Sequence, residues 1–169
     1  HYSLGQSAEK YACVDTRQFP GNHKETSMFS ALYAASDGML YIGLCTHAGS
    51  SHFYQYNPRA DTMRHIADLA DFLNQVGKGI RTAGKIHTRP VEDDHGRIYF
   101  ATMCEDSGPP NIDPYSWEGP HWARYDPKTD KLESLGLINR LWGIYGLAID
   151  KKRNYLFGTA WDGHLYRYD

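Results

Sequence analysis

Short runs of apolar and aromatic residues, separated by turn residues, are the main pattern of the chain. Residues 29–35 and 39–45 form the first two runs, and Ser36-Asp37-Gly38 lies between them. This triplet predicts a tight hairpin, because glycine accepts the positive φ that such turns need. Residues 51–57 and 62–66 form two more runs on either side of a proline-containing turn. The pattern therefore predicts four consecutive antiparallel strands.

The same order of elements returns further along the chain. Residues 85–91 and 97–103 are predicted as first and second strands around the turn 93–96. Strands at 121–126 and 131–136 complete this unit, and a third unit begins at residue 144. Serial repetition of one such unit is typical of a repeat protein.

Two features recur at matching places in these units. The third strands carry a motif of a small residue or Pro, then His, an apolar residue, a variable residue, Arg or Gln, Tyr, and finally Asp or Asn. Its copies are residues 51–57, 120–126 and 163–169. The second strands are predicted to align a small residue at Gly43, Ala101 and Gly158, beside a large one at Ile42, Phe100 and Phe157. Small residues there would let a neighbouring sheet approach closely.

Four-stranded antiparallel units in series are typical of β-propeller blades. We therefore predict an all-β fold: a β-propeller segment of about three four-stranded antiparallel blades, the last incomplete. The predicted parts are an N-terminal segment or outer strand of an adjacent blade at 1–28, blade 1 at 29–68, a helical connection at 69–84, blade 2 at 85–136 with an insertion at 104–120, and an incomplete blade 3 at 144–169. Because propellers usually need four or more blades to close, we expect further blades from the same protein, a homo-oligomer or partner chains.

One segment departs from the β pattern. Its apolar residues fall at helical spacing, at Ile66, Leu69, Phe72, Leu73 and Val76, and glycines follow at 77 and 79. This spacing predicts one short amphipathic helix near 68–76, between the first two units.

Composition supports the β assignment and excludes some partners. Thirteen Tyr and four Trp are many for 169 residues, and aromatic residues fit pleated, half-buried surfaces. A formal net charge of −2 gives no electrostatic footprint for nucleic acid. No apolar run reaches the roughly 20 residues of a membrane helix, so we expect no membrane span. Cys13, Cys45 and Cys104 form no CxxC, so no zinc ribbon is indicated. We expect free, buried or half-buried thiols, and a disulfide between two of the three cysteines is the alternative.

Two stretches resemble a known class of proteins. The run at 125–133, Tyr-Asp-Pro-Lys-Thr-Asp-Lys-Leu-Glu, is similar to the outer turn of many bacterial propellers. The His-bearing strands and the run at 85–102 resemble the propellers of exported polysaccharide lyases of the oligogalacturonate-lyase and ulvan-lyase type. The chain lacks the Gln-x-x-His-x-His pattern associated with the former. The resemblance implies an acidic polysaccharide or oligosaccharide as ligand and a periplasmic or extracellular location, although no signal peptide is visible.

In a propeller, the loops that follow second and fourth strands share one face, where ligands usually bind. His87 lies early in a predicted channel-lining strand, on the same side as Lys85 and Arg89. Cations beside a histidine favour a neutral imidazole that can accept a proton, and they can also bind a carboxylate. The alternative is a solvated channel lining without a ligand.

The insertion at 104–120 is the other candidate site, because long loops on a rigid scaffold often carry function. Tyr115 and Trp117 could form a stacking platform for a sugar ring. Glu105, Asp106 and Asp113 could hold calcium through their oxygen atoms, so calcium is the possible cofactor. The alternative is an ordered loop that packs its aromatic residues on the sheet. The metal question is otherwise open.

These residues lead to three functional hypotheses. A uronate lyase working by β-elimination would use His87 as base, Arg89 as carboxylate-binding cation and a tyrosine such as Tyr145 or Tyr115 as acid. A carbohydrate- or protein-binding propeller would use the same face without catalysis, and a structural subunit is the third hypothesis. The predicted substrate-binding residues are Lys85, Tyr115, Trp117, His121, Trp142 and Trp161. The three motif histidines lie on different blades, which are rotated relative to one another, so they cannot all bind one ion. We expect each of them to hydrogen-bond the loop that enters its third strand.

Overall fold

In a computed structural model, the described part of the chain forms three antiparallel β-sheets. The structure describes residues 15–20, 27–47, 49–104, 111–113, 115–140 and 143–169. Sheet 1 contains β1 (Leu32–Ala34), β2 (Leu40–Gly43), β3 (His52–Asn57) and β4 (Thr62–Asp68). Sheet 2 contains β5 (Val91–Glu92), β6 (Ile98–Ala101), β7 (His121–Asp126) and β8 (Lys131–Leu137). Sheet 3 contains β9 (Ile144–Asp150), β10 (Tyr155–Ala160) and β11 (Leu165–Tyr168).

Within each sheet, every strand pairs with the strand next to it in sequence. The predicted all-β character and the antiparallel units are thereby confirmed. Short turns are sufficient for such connections, and the turn residues have the required conformations. Asp61 and Asp130 adopt φ values of 52° and 53°, which aspartate tolerates better than most residues.

A hydrogen bond between Asp and Tyr recurs at the turns and explains part of the tyrosine content. In each case a turn carboxylate accepts a hydrogen bond from the hydroxyl of a nearby tyrosine on the flanking strand. The pairs are Asp37–Tyr41, Asp61–Tyr56, Asp93–Tyr99, Asp130–Tyr125 and Asp162–Tyr166, with O···O distances from 2.6 to 3.0 Å. Burial and the Asp130 bond raise the pKa of Tyr125 to about 12. These bonds fix the turn ends of all three sheets.

The sheets pack face to face through aromatic and aliphatic side chains. Phe53 of sheet 1 contacts Phe100 of sheet 2, with ring centroids 4.6 Å apart. Trp122 of sheet 2 lies in a second core cluster with Ile144 and Leu156 of sheet 3. On the opposite face of sheet 1, the Phe19 ring packs 5.1 Å from that of Tyr54.

Strand pairing corrects the predicted alignment of the second strands. Gly43 pairs with Phe53 and Ala101 pairs with Trp122, and both partners lie four residues before the Asn or Asp that ends the third-strand motif. The corresponding residue of sheet 3 is Leu165, and it pairs with Thr159. Gly158 is equivalent instead to the large residues Ile42 and Phe100. A Cβ atom at Gly158 would lie 2.5 Å from the Trp122 ring, so the glycine makes room for this tryptophan.

A line of isolated β-bridges joins the sheets at one end. Cys45 bridges Ser27 and Lys85, and Met103 bridges Lys85 and Gly143, all in antiparallel fashion. Adjacent sheets are therefore hydrogen-bonded to each other where their first strands begin. This end of the molecule holds the candidate site.

Two predicted elements are shorter than expected. The strand predicted at 85–91 pairs as a regular strand only at Val91–Glu92. Lys85 forms an isolated bridge. Pro90 has no N–H to donate, and the Thr88 hydroxyl accepts the hydrogen bond of the Ala101 N–H in place of a backbone carbonyl. The side chain thus replaces part of the ladder.

The helix predicted near 68–76 spans only α1 (Leu69–Phe72). Asp68 caps its N-terminus by accepting from the Asp71 N–H, and the chain leaves the helix at Leu73 and Asn74, whose φ is 54°. Leu69 is fully buried, whereas Val76, also on the predicted apolar face, is 64 % exposed. No helix in the described ranges is long and apolar enough to cross a membrane. Cys45 and Cys104 are buried free thiols, whereas Cys13 lies outside the described residues.

Candidate functional site

Four aromatic rings form a continuous line at the bridged end of the sheets. Phe29, His87 and Tyr145 each follow a bridge residue by two positions, at the start of successive sheets. Trp161 directly follows β10 and extends the line. The repeat thus places one ring from each sheet side by side. We call these four residues the aromatic arc.

The rings of the arc contact one another in order. The imidazole of His87 is stacked on the Phe29 ring, with centroids 4.2 Å apart and planes inclined by 18°. The centroid of Tyr145 lies 5.1 Å from that of His87 and 5.4 Å from that of Trp161. Phe29 is exposed, and Trp161 is 71 % exposed. The arc therefore presents aromatic surface to solvent at both ends, with half-buried rings between them.

The cations predicted around His87 have different environments. Lys85 is only 2 % exposed and its backbone pairs with Met103, so this lysine belongs to the packed junction between the sheets. Arg89 is exposed, and its guanidinium carbon lies 5.8 Å from the centre of the Tyr33 ring. Ser30 of sheet 1 donates a hydrogen bond to the His87 carbonyl and fixes the backbone there. Arg89 is thus the solvent-facing cation of this segment.

The aromatic residues of the insertion also differ. Tyr115 is exposed, whereas Trp117 is buried in the core cluster between sheets 1 and 2. Trp142 and the acidic residues Glu105 and Asp106 lie outside the described residues. Within the described ranges, no group of three or more His, Cys, Asp or Glu side chains could hold a metal ion. The predicted calcium site therefore stays a prediction.

The motif histidines bind different partners in the three sheets. His52 Nδ1 lies 2.9 Å from His65 Nε2, and His121 Nδ1 lies 2.8 Å from the Ser134 hydroxyl, so both rings reach across to the fourth strand. His164 Nδ1 lies 2.9 Å from a carboxylate oxygen of Asp162 in its own turn. Burial lowers the pKa of His121, although the Glu118 charge acts in the opposite direction.

Sequence reasoning identified His87, Tyr145 and Trp161 separately but missed Phe29. This residue was assigned only to a strand. The bridges show that Phe29 and His87 are equivalent, because each residue lies two positions after a bridge residue, Ser27 or Lys85. Aligning the starts of the first strands in the sequence would have revealed the same match. No protein-family model and no curated protein matches the chain. The arc geometry therefore carries the functional argument.

Proposed function

We propose that this chain forms part of a β-propeller that binds an acidic polysaccharide or oligosaccharide on the aromatic arc. Three stacked antiparallel sheets with bridged first strands support the propeller assignment. The observation that carries the ligand assignment is the unbroken contact of four rings from Phe29 to Trp161.

The chemistry of the arc suits a sugar chain. Aromatic rings offer flat apolar surface, and Tyr and Trp add a polar group at the ring edge. A sugar ring has apolar C–H faces and hydroxyl groups around its rim, so it matches both features. Ligand sites commonly combine an apolar lining with a few placed polar groups. A row of contacting rings can therefore accommodate several consecutive sugar units.

Arg89 supports an acidic rather than a neutral sugar. Its exposed guanidinium follows His87 by two residues and offers a planar set of donors that matches a carboxylate. Each uronate unit carries one carboxylate, so a single arginine beside the arc can select for such chains. Specificity for acidic ligands should therefore depend on Arg89, whereas stacking should depend on the rings.

The test is titration calorimetry with a defined galacturonate oligomer and with a neutral glucan of equal length. Trp161→Ala should weaken galacturonate binding about tenfold or more, because buried aromatic contacts dominate such interfaces. Val76→Ala, at an exposed apolar residue outside the arc, is the matched control and should leave affinity unchanged. Failure of the wild-type protein to bind the oligomer, or equal affinity for both ligands, would contradict the proposal.

A uronate lyase is a second candidate, favoured by one contact. The His87 imidazole and the Tyr145 ring are 5.1 Å apart, close enough for one to act as base and the other as acid on the same sugar. Elimination forms a carbon–carbon double bond as the base removes the proton beside the carboxylate and the acid protonates the leaving oxygen. The same samples should then gain ultraviolet absorbance, which His87→Ala should abolish. If the wild-type protein binds the oligomer tightly without a gain in absorbance, the lyase candidate is contradicted and only the binding function is supported.

A further inference from the structure

The turn between β10 and β11 holds a histidine in a fixed orientation. His164 Nδ1 lies 2.9 Å from Oδ2 of Asp162, and the His164 side chain is 72 % exposed. The same carboxylate accepts hydrogen bonds from the Tyr166 hydroxyl at 2.6 Å and the His164 N–H at 3.0 Å. With Nδ1 directed at Asp162, the other ring nitrogen, Nε2, is the one open to solvent.

Two aspartates in the turns between first and second strands, at the opposite end of the sheets, show which part of this arrangement belongs to the turn itself. Asp37 and Asp93 also accept from the backbone N–H two residues later, at 2.8 Å and 2.9 Å, and from a tyrosine hydroxyl. The residue two positions after Asp37 is Met39, which has no ring. The residue two positions after Asp93 is His95, but there the Arg97 guanidinium donates to the carboxylate. The turn therefore forms without a ring contact. The Asp162–His164 pair is an addition specific to sheet 3.

This pair lies in the same turn as Trp161, the exposed end of the aromatic arc. Ala160 donates a backbone hydrogen bond to the His164 carbonyl, which closes the turn with Trp161 inside it. A carboxylate on Nδ1–H fixes the tautomer of a neutral imidazole, so that Nε2 carries a lone pair. A ligand stacked on Trp161 would thus meet an oriented hydrogen-bond acceptor at its edge.

Resting on the proposed function, we infer that His164 Nε2 accepts a hydrogen bond from a hydroxyl group of the sugar unit stacked on Trp161, with Asp162 as the positioning residue. The His87 ring lies between the Phe29 and Tyr145 rings, whereas the exposed His164 ring is oriented by Asp162 at Nδ1 and has a tilted Tyr166 ring 6.3 Å away. The Trp161 end of the arc would then read the hydroxyl pattern of the sugar, while Arg89 reads its carboxylate. This assigns two different recognition tasks to two separate side chains of the proposed site.

The experiment compares His164→Ala with His95→Ala in titrations of the galacturonate oligomer under identical conditions. His164→Ala should weaken binding about tenfold, as expected for the loss of one hydrogen bond to a ligand. His95 follows an aspartate by two residues in the same way but lies in the turn at the opposite end of the sheets, so His95→Ala should bind like the wild type.

A second readout tests the ring itself. The imidazole ¹⁵N resonances of the wild-type protein should show a shift of His164 Nε2 on ligand addition, with His95 unaffected. Asp162→Asn should reduce this shift, because the carboxylate that fixes the tautomer is gone. Wild-type binding that is lost in Trp161→Ala but retained in His164→Ala, without an Nε2 shift, would overturn the inference and leave the proposed function standing. Absence of wild-type binding would overturn both.

Discussion

Trp122 and Leu165 occupy the same position in the third strands of sheets 2 and 3, but their environments are opposite. Trp122 is 3 % exposed and Leu165 is 67 % exposed. Both precede the ending aspartate of the motif by four residues. Sheet 3 covers Trp122, whereas Leu165 is on the far face of the last described sheet. Burial at a repeated position is therefore determined by the neighbouring sheet and not by the strand that carries it.

The difference also shows how the repeat varies to fit its neighbours. Sheet 1 places Phe53 against Phe100 of sheet 2. Sheet 2 places the larger Trp122 against Gly158 of sheet 3, the position that corresponds to Phe100. Between sheets 2 and 3 a large residue is thus matched by a glycine, whereas two large rings meet between sheets 1 and 2. Dense packing is reached by different residue pairs at the two interfaces.

The largest effect is expected for the pair of truncations at this position. Trp122→Ala should lower the free energy of unfolding by about 3–5 kcal/mol, because it removes buried apolar surface and leaves a cavity between sheets 2 and 3. Leu165→Ala should change it by about 0.5 kcal/mol or less, since the leucine is exposed. Urea unfolding followed by fluorescence and circular dichroism measures both. Equal effects would show that the far face of sheet 3 is covered in solution.

The comparison explains which parts of the fold were predictable. Alternation and turn residues identified the strands of all three sheets, because these signals act within a few residues. The alignment of Gly158 was wrong by one position, since the register depends on pairing and on the bulge between Thr159 and Ala160. The helix was predicted too long because apolar spacing continued past Leu73, whereas the left-handed Asn74 ends it.

The site was predictable only in part, for a similar reason. Equivalence of the loops placed His87, Tyr145 and Trp161 at one end of the sheets. Strand alternation also predicted that Lys85 shares the open side of His87, but the bridges at this residue bury it between sheets. Such long-range pairing leaves no local signal. Contacts between sheets, rather than patterns within strands, therefore decided which side chains form the arc.

The aspartate–tyrosine bonds allow a second, smaller comparison of sheets 2 and 3. Asp93 and Tyr99 are both buried, whereas Tyr166 is half-buried. Tyr99→Phe should lower the free energy of unfolding by about 1–2 kcal/mol, because Asp93 loses a hydrogen bond where water cannot replace it. Tyr166→Phe should lower it by less than about 1 kcal/mol, since water can reach Asp162. Urea midpoints provide the measurement, and a larger effect of Tyr166→Phe would contradict this ranking.

The motif histidines of sheets 2 and 3 give the smallest expected effect, a difference in acid sensitivity. Burial lowers the pKa of His121 in the folded protein, and its Nε2 atom has no hydrogen-bond partner among the described residues. As the pH falls below about 6.5, the unfolded chain therefore takes up a proton at His121 more readily than the folded chain, and stability decreases. His121→Gln should reduce this decrease between about pH 7.5 and pH 5, where few carboxylates titrate. His164→Gln, at the corresponding but exposed position of sheet 3, is the comparison variant and removes no buried imidazole. Thermal unfolding across this range measures the slope, and parallel curves for wild type and His121→Gln would show that the His121 environment is accessible to protons in the folded state.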